Sequence, residues 1–167
     1  MNHFYNQVTG YVTDEDLQVL QQGVQHTPEG GTIVEVGVMH GYCTAFLIGE
    51  IANSGKDIRL IACDIFEDEQ NYQRVLTFLK GYRVDIRRCK SVDLVVERAD
   101  FVWLDGDHSF ENVTEELNKF IKLVPDGIIA GHDYLHPSYP EVRKAVDEFC
   151  KDRYKVNTFG YSFYFHT

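Results

Sequence analysis

TIVEVGVMHG, Thr32 to Gly41, is the stretch that decides the fold of this chain. An apolar run ends at Glu35, and the chain then passes through Gly37 and Gly41 into an apolar segment that begins near Tyr42. In α/β proteins, a buried strand that ends in a glycine-containing loop forms the floor of a nucleotide pocket. The glycines let the backbone approach a ligand that a side chain would keep away.

The acidic residue before this loop narrows the class of ligand. A carboxylate suits a cationic group better than a phosphate, so Glu35 favours S-adenosylmethionine, which carries an amino group and a sulfonium, over a dinucleotide with its pyrophosphate. A nicotinamide-dependent enzyme is the first alternative, but it predicts a tighter glycine fingerprint with no acid before the first glycine. Glu35 and the residue Met39 count against it. A non-catalytic protein that binds S-adenosylmethionine is the second alternative.

The composition is that of one ordinary globular domain. The chain has 167 residues, of which 44% are hydrophobic and 25% charged, and no repeat or linker divides it, so we expect a single domain over residues 1–167. No apolar run approaches the roughly 20 residues of a membrane span. The first ten residues, MNHFYNQVTG, lack the pattern of a secretory signal. The four cysteines include no close pair, which predicts reduced thiols and a cytoplasmic location.

The charge of the chain bears on its partners. The formal net charge is −10, from 26 acidic and 16 basic residues. Such a field repels a polyanion, so we expect a small-molecule partner, and neither nucleic acid nor a membrane.

Strand-like and helix-like segments alternate along the chain, which predicts an α/β protein with a mostly parallel sheet and helices on both faces. The predicted strands are TIVEVG, IRLIACD, YRVDIRR, ADFVWLD and GIIAGHD, with two short strands on either side of Gly160 at the end. The predicted helices begin after Thr13, cover 42–53, 70–80 and 110–124, and begin again at Pro140.

Residues with useful chemistry collect at the carboxyl ends of these strands. In an open α/β sheet the ligand binds beyond those ends, near the point where the strand order reverses. The residues there are Glu35, Gly37, Asp64, the run 88–91, Asp105, Asp107, His108, His132 and Asp133. Chance placement would scatter such residues more widely, so this rim is the candidate site.

Two motifs dominate the rim: DGDHSF, Asp105 to Phe110, and GHDYLHP, Gly131 to Pro137. Carboxylates and imidazoles that converge from neighbouring strands can bind a divalent metal through Asp105, His132 and Asp133. They can also supply a general base, for which His108 and His132 are the candidates. The alternative for each residue taken singly is a helix cap or a loop hydrogen bond.

With these motifs, the chain resembles the class I S-adenosylmethionine-dependent methyltransferases, and most of all the methyltransferase-24 type. The resemblance runs from about Ile33 to Phe149 and is carried by EVGVMHGYCT, the acidic end of LIACD, LDGDHSFENV, PDGIIAGHDY and EVRKAVDEF. The glycine motif alone is weak. DGDHSF and GHDY, separated by one amphipathic helix and PDG, are much more specific.

The resemblance implies a Rossmann-like three-layer α/β/α sandwich whose seven-stranded sheet has its last strand antiparallel. It implies that Glu35 and the loop from Gly37 to Gly41 hold the methionine part of the cofactor, and that Asp64 holds the ribose. The Lys90–Ser91 region would then lie near the adenine, and Asp105 beside the methyl donor.

Two residues depart from the family pattern. Met39 stands where many methyltransferases have another glycine. Related metal-dependent O-methyltransferases place acidic or amide residues at the positions of Asp105, His132 and Asp133, so His132 is the exception in a site for Mg²⁺ or another divalent cation, because hard cations prefer oxygen ligands.

The resemblance further implies direct methyl transfer to a hydroxyl of a small acceptor, such as a sugar or a natural-product-like molecule. Without an inserted cap domain, the acceptor space would be built from loops, and a homodimer partner could help to close it. Aromatic side chains that could line this space are Tyr5, Tyr11, Phe66, Tyr72, Phe110, Tyr134 and Tyr139.

Overall fold

The structure, a computed structural model, describes Val8 and residues 10–167 of the chain. Within these residues, seven strands form one sheet and five α-helices cover it. The strands are β1 Thr32–Val36, β2 Arg59–Asp64, β3 Asp85–Arg88, β4 Phe101–Leu104, β5 Ile128–Gly131, β6 Asn157–Phe159 and β7 Ser162–His166. The helices are α1 Asp14–His26, α2 Tyr42–Ser54, α3 Glu69–Phe78, α4 Phe110–Phe120 and α5 Pro140–Cys150.

The strand order across the sheet is β3-β2-β1-β4-β5-β7-β6. The first five strands run parallel, and β7 lies antiparallel to both of its neighbours, β5 and β6. Hydrophobic clusters place α1, α2 and α3 on one face of the sheet and α4 and α5 on the other. The fold is therefore the predicted three-layer, Rossmann-like sandwich, and its strand order reverses between β1 and β4, where a ligand crevice is expected.

Local sequence signals explain why the helices begin and end where they do. Thr13 caps α1 through a reciprocal pair of bonds with Asp16, a capping box. Gly41 and Gly55 stand at the two ends of α2 in the left-handed conformation, with φ values of 86° and 69°. These positions fix the direction in which the loop after β1 enters its helix.

Several elements are shorter than the sequence predicts. Helix α4 ends at Phe120, and residues 121–123 form turns instead of continuing to Val124. The carbonyl of Leu123 accepts a hydrogen bond from the N–H of Ala99, just before β4, and Pro125 follows, which disfavours further helix.

In the described part of the chain, every helix is too short or too polar to cross a bilayer.

Candidate functional site

The glycine loop after β1 packs directly against the end of β4. Gly37 has a φ of 87° and donates its N–H to the carbonyl of Cys63. A Cβ atom added at Gly37 would lie 1.9 Å from the backbone oxygen of Asp105, so glycine is required there by both its conformation and its surroundings. The loop that was predicted to hold the cofactor is thus in contact with the residue predicted to lie beside the methyl donor.

Glu35 is the most unusual side chain of the cofactor half of the site. It lies on β1, is fully buried, and neither carboxylate oxygen makes a well-aligned hydrogen bond with the described residues. Burial raises its pKa to about 8, Thr44 at the start of α2 opposes this effect in part, and the carboxylates of Asp105 and Asp64 add to it. A buried carboxylate without a well-aligned hydrogen bond is costly, and its position beside the glycine loop makes it available to a cationic ligand group.

Asp64 lies at the end of β2 and braces the same loop. One carboxylate oxygen accepts from the N–H groups of Val38 and Met39, both at 2.9 Å, and the other accepts from the N–H of Phe66 at 2.7 Å. Glu35 and Asp64 therefore both lie at this glycine loop. The ribose contact of Asp64 stays a prediction, and the carboxylate would make it in addition to three bonds within the protein.

Helix α3 also holds the loop, through a residue that sequence analysis did not select. Asn71 donates its side-chain N–H to the carbonyl of Met39 at 2.6 Å, and its amide oxygen lies 2.9 Å from Nδ1 of His40. In the sequence, the only sign of this role is that Asn71 lies in the first turns of α3, the helix that follows Asp64.

The Lys90–Ser91 region, predicted to lie near the adenine, is joined to α4 by hydrogen bonds. Ser91 is buried and donates its hydroxyl to Glu116 at 2.6 Å. Lys119 reaches back to three backbone carbonyls of the same segment, at 2.5–2.9 Å. Lys90 itself is exposed. The adenine contact of this region stays a prediction, and the Ser91 hydroxyl already has a partner inside the protein.

The structure brings four of the predicted catalytic and metal-binding side chains together. Nε2 of His108 lies 2.8 Å from Oδ2 of Asp133 and 3.9 Å from Oδ1 of Asp105. Nδ1 of His132 lies 3.3 Å from Oδ2 of Asp133 and 3.8 Å from Oδ1 of Asp105. The His108 nitrogen is close enough for an ion pair, yet it is not aligned for a hydrogen bond. We call these four residues the acid–imidazole cluster.

The two acids shift the protonation of both imidazoles. The carboxylates of Asp105 and Asp133 raise the pKa of His108 to about 9. Burial alone would lower the pKa of His132, but its contacts with Asp133 and Asp16 outweigh burial and raise that pKa to about 10. Burial would likewise raise the pKa of Asp133, but the two histidines hold it well below its usual range. Each imidazole is therefore stabilised as a cation by the carboxylates around it.

Backbone strain is concentrated on the same rim. Of the four described non-glycine residues with positive φ, three follow strand ends: Met39 at 50°, Phe66 at 44° and Asp133 at 61°. Asp133, in the left-handed conformation, directly follows His132, and both residues belong to the acid–imidazole cluster. Strain of this kind costs about 1–3 kcal/mol per residue and is typical of functional sites.

A fifth ionisable group, Asp16 of α1, joins the cluster from outside the predicted rim. It is fully buried, and its Oδ2 lies 3.2 Å from Nε2 of His132. Burial would raise its pKa, but bonds from His132, Ser162 and Thr13 hold the pKa below its usual range. Sequence analysis missed this residue because an acid three positions after Thr13 is also the ordinary sequence of a helix cap.

Aromatic rings border the acid–imidazole cluster on its exposed side. The ring of Tyr139 stacks on that of His108 with centroids 4.1 Å apart, and Tyr139 is 38% exposed. Phe66 and Tyr134 are buried in hydrophobic clusters, so they do not line an open acceptor space. Tyr5 lies outside the described residues.

The donor set of the cluster fits a metal ion. Asp105, His132 and Asp133 each offer one ligand atom, and these atoms lie within 4.8 Å of one another. Two carboxylates and one imidazole suit Mn²⁺, Fe²⁺ or Zn²⁺ better than Mg²⁺, which prefers oxygen ligands.

Comparison with known families identifies the chain. The profile of the methyltransferase-24 family, described as a methyltransferase domain, matches residues 34–134, more than half of the chain. The chain belongs to this methyltransferase family. Among proteins of curated function, no sequence matches it.

Solved structures agree on the fold. An O-methyltransferase from Bacillus cereus in complex with SAH has a TM-score of 0.70 and 17% identity, covering 97% of this chain and 85% of that one. A SAM-dependent O-methyltransferase from Thermotoga maritima has a TM-score of 0.70 and 16% identity, covering 96% and 68%. A protein from Clostridium thermocellum, described as a candidate rRNA-methylase, has a TM-score of 0.69 and 19% identity, covering 95% and 98%. At these identities the likeness is one of fold alone.

Proposed function

We propose that this protein is an S-adenosylmethionine-dependent O-methyltransferase that acts on a small hydroxylated acceptor with the help of a divalent cation. One observation carries the cofactor half of the proposal: Glu35 is fully buried and both of its carboxylate oxygens lack an aligned hydrogen-bond partner among the described residues. It lies beside a glycine loop at the point where the strand order reverses. A cationic amino group is the ligand that such a carboxylate accepts.

The residues of the cofactor half fit S-adenosylmethionine. Glu35 would accept a hydrogen bond from its amino group, the loop from Gly37 to Gly41 would let the backbone approach it, and Asp64 would contact the ribose. When bound, S-adenosylmethionine supplies the methyl group that passes from its sulfur to the acceptor oxygen. Asp105 would lie beside the reacting atoms, because its backbone touches the glycine loop.

The acid–imidazole cluster supports transfer to an oxygen. A hydroxyl acceptor must lose its proton as the new bond forms, so a base or a cation near that oxygen lowers the barrier. His108 is the candidate base, since it is 30% exposed at the side chain and lies beside both acids. Because these acids favour its cationic form, it must first lose its own proton before it can accept that of the acceptor. Asp105, His132 and Asp133 would hold the cation, whose charge would favour ionisation of the acceptor.

The acceptor is expected to be small and not a polyanion. The net charge of −10 opposes nucleic acid, and Tyr139 offers a ring surface beside His108. The B. cereus and T. maritima structures are those of O-methyltransferases, which supports the choice of oxygen. A cytoplasmic location and a homodimer stay predictions, and the four free cysteines are compatible with the first.

Calorimetry and a transfer assay test this proposal. We expect S-adenosylhomocysteine to bind and NAD not to bind, and labelled methyl groups to pass from S-adenosylmethionine to small hydroxylated acceptors in the presence of Mn²⁺. Binding of NAD without S-adenosylhomocysteine would overturn the cofactor assignment. Binding of S-adenosylhomocysteine without transfer to any acceptor of a broad panel would favour a non-catalytic binding protein.

A further inference from the structure

Asp16 makes more contacts than a helix cap needs. Its Oδ2 accepts from the backbone N–H of Thr13 at 2.8 Å, as a capping box requires, and also from the Thr13 hydroxyl at 2.7 Å. Its Oδ1 accepts from the N–H of Tyr161 at 2.9 Å and from the hydroxyl of Ser162 at 2.6 Å, which are outside the helix. The carboxylate therefore joins α1 to the turn between β6 and β7.

Gly160, in the turn between β6 and β7, allows the contact between this turn and the Asp16 carboxylate. Gly160 has a φ of 59°, and a Cβ atom added there would lie 2.7 Å from Oδ1 of Asp16. Glycine at this position allows the turn to approach the buried carboxylate closely. Four donated bonds compensate for most of the cost of burying the charge.

The fifth contact reaches the acid–imidazole cluster. Nε2 of His132 lies 3.2 Å from Oδ2 of Asp16. An ionised carboxylate can only accept hydrogen bonds, so Nε2 must carry the hydrogen. The other ring nitrogen, Nδ1, then faces Asp105 and Asp133 at 3.8 and 3.3 Å, and it can bind a cation when its own proton is released. A carboxylate that holds one nitrogen of a histidine while the other binds a metal is a recurrent arrangement in metal sites.

We propose that Asp16 is a positioning residue that holds His132 with Nε2–H toward α1 and with Nδ1 toward Asp105 and Asp133, so that Nδ1 is the nitrogen ligand of the cation site. The inference rests on the proposed function for the existence of that cation site. Asp16 lies before residues 34–134, which match the family profile, so α1 contributes a site residue from outside the matched segment.

The first test uses the unaltered protein. A ring N–H donated to a buried carboxylate gives a downfield proton signal protected from solvent exchange, and its loss in His132→Gln assigns it. On titration with Zn²⁺ we expect this signal to shift and persist, because the ion binds Nδ1. Loss of the signal on Zn²⁺ binding, or its absence from the free protein, would overturn the inference.

The second test compares two variants of the same carboxylate environment. Asp16→Asn should remove the downfield signal and weaken Mn²⁺ binding, followed by electron paramagnetic resonance, by about 10- to 100-fold. Ser162→Ala removes a bond to the same carboxylate but leaves His132 in place, so it should keep the signal and change Mn²⁺ affinity less than about twofold. Equal Mn²⁺ affinity in Asp16→Asn and the wild type would refute the role of Asp16, as would equal losses in both variants.

Calorimetry with S-adenosylhomocysteine on the same samples separates this inference from the proposed function. In the described part of the chain, the bonds to the Asp16 carboxylate come from Thr13, His132, Tyr161 and Ser162 and not from the glycine loop, so Asp16→Asn should bind S-adenosylhomocysteine as the wild type does. A wild type that binds Mn²⁺ but not S-adenosylhomocysteine would refute the proposed cofactor and leave the role of Asp16 intact. A wild type that binds S-adenosylhomocysteine but not Mn²⁺ would refute the inference and the proposed help of a cation, and would leave the proposed cofactor intact.

Discussion

At the scale of single residues, the site combines two buried acids with opposite protonation behaviour. Glu35 makes no aligned hydrogen bond with the described residues, and burial raises its pKa to about 8. Asp16 is equally buried, but the donors around it hold its pKa below the usual range. The donors around Asp16, with His132 among them, lower its pKa, whereas stronger desolvation and the nearby carboxylates of Asp105 and Asp64 raise the pKa of Glu35. Because few donors stabilise the charge of Glu35, a cationic ligand can still stabilise it.

Glu35 should make the ligand-free protein less stable as the pH rises. Its pKa is 4.5 in the unfolded reference and about 8 in the folded protein, so between these values the folded state binds the extra proton. Stability is then highest below pH 4.5 as far as this group is concerned, and falls by up to about 1.4 kcal/mol per pH unit toward pH 8. Glu35→Gln should flatten this decline in urea denaturation measured from pH 5 to pH 8.

The same substitution should weaken cofactor binding. A glutamine side chain keeps the shape of Glu35 but not its charge, so the affinity for S-adenosylhomocysteine should fall by about tenfold. Calorimetry at pH 7 measures this directly. A Glu35→Gln protein that is more stable at pH 8 and binds S-adenosylhomocysteine as tightly as the wild type would show that Glu35 does not contact the amino group.

Met39 tests whether strain in the loop has a measurable cost. Its φ of 50° is one that glycine adopts without strain, and its side chain is 51% exposed. Met39→Gly relieves about 1–2 kcal/mol of strain but adds about 0.5–1 kcal/mol of chain entropy, so a net gain of about 0.5–1 kcal/mol is expected in urea denaturation. Met39→Val, β-branched at the same φ, should instead lose stability. A stabilising valine would contradict the left-handed conformation.

At the scale of elements, the glycine loop is positioned by its neighbours on two sides. The end of β2 supplies the carboxylate of Asp64, and α3 supplies the side chain of Asn71. The loop is therefore fixed in part before a ligand arrives, which lowers the entropic cost of binding.

Removal of the α3 contact should affect binding more than stability. Asn71→Ala deletes the 2.6 Å bond to the Met39 carbonyl at a half-buried position, so stability should change by less than about 1 kcal/mol. The affinity for S-adenosylhomocysteine should fall by about three- to tenfold. Gln73→Ala on the same helix is the matched control, since among the described residues the Gln73 side chain bonds within α3, to Glu69 at 2.9 Å. Equal affinities in the two variants would show that α3 does not position the loop.

The order and kind of the elements could be predicted from the sequence, because apolar periodicity and glycine stops report local burial. The lengths could not, since the end of α4 depends on a hydrogen bond between Leu123 and Ala99 that brings distant segments together. In the site, the expectation that ligands bind beyond the carboxyl ends of the strands grouped Asp105, His108 and Asp133, which the structure places together. It did not reach Asp16, which lies on a helix packed beneath the rim and not at a strand end.

At the scale of the whole molecule, the sheet keeps the cofactor residues and the acid–imidazole cluster apart while joining their backbones. The first group comes from β1 and β2, and the second follows β4 and β5. The two halves meet where β1 and β4 end: Gly37 touches the backbone of Asp105, and Asp105 donates its N–H to the carbonyl of Val36 at 2.8 Å. Ligand binding in one half can therefore proceed without the other, whereas methyl transfer requires both.

This separation predicts the effect of removing divalent ions. Treatment with EDTA should leave the affinity for S-adenosylhomocysteine unchanged within about twofold, because Glu35 and the glycine loop need no metal. It should lower methyl transfer at least about tenfold, since the charge that favours ionisation of the acceptor is lost, and added Mn²⁺ should restore the rate better than Mg²⁺ because one donor is an imidazole. A transfer rate that EDTA leaves intact would mean that His108 alone removes the acceptor proton, and that Asp105, His132 and Asp133 act as a hydrogen-bonded support for that base.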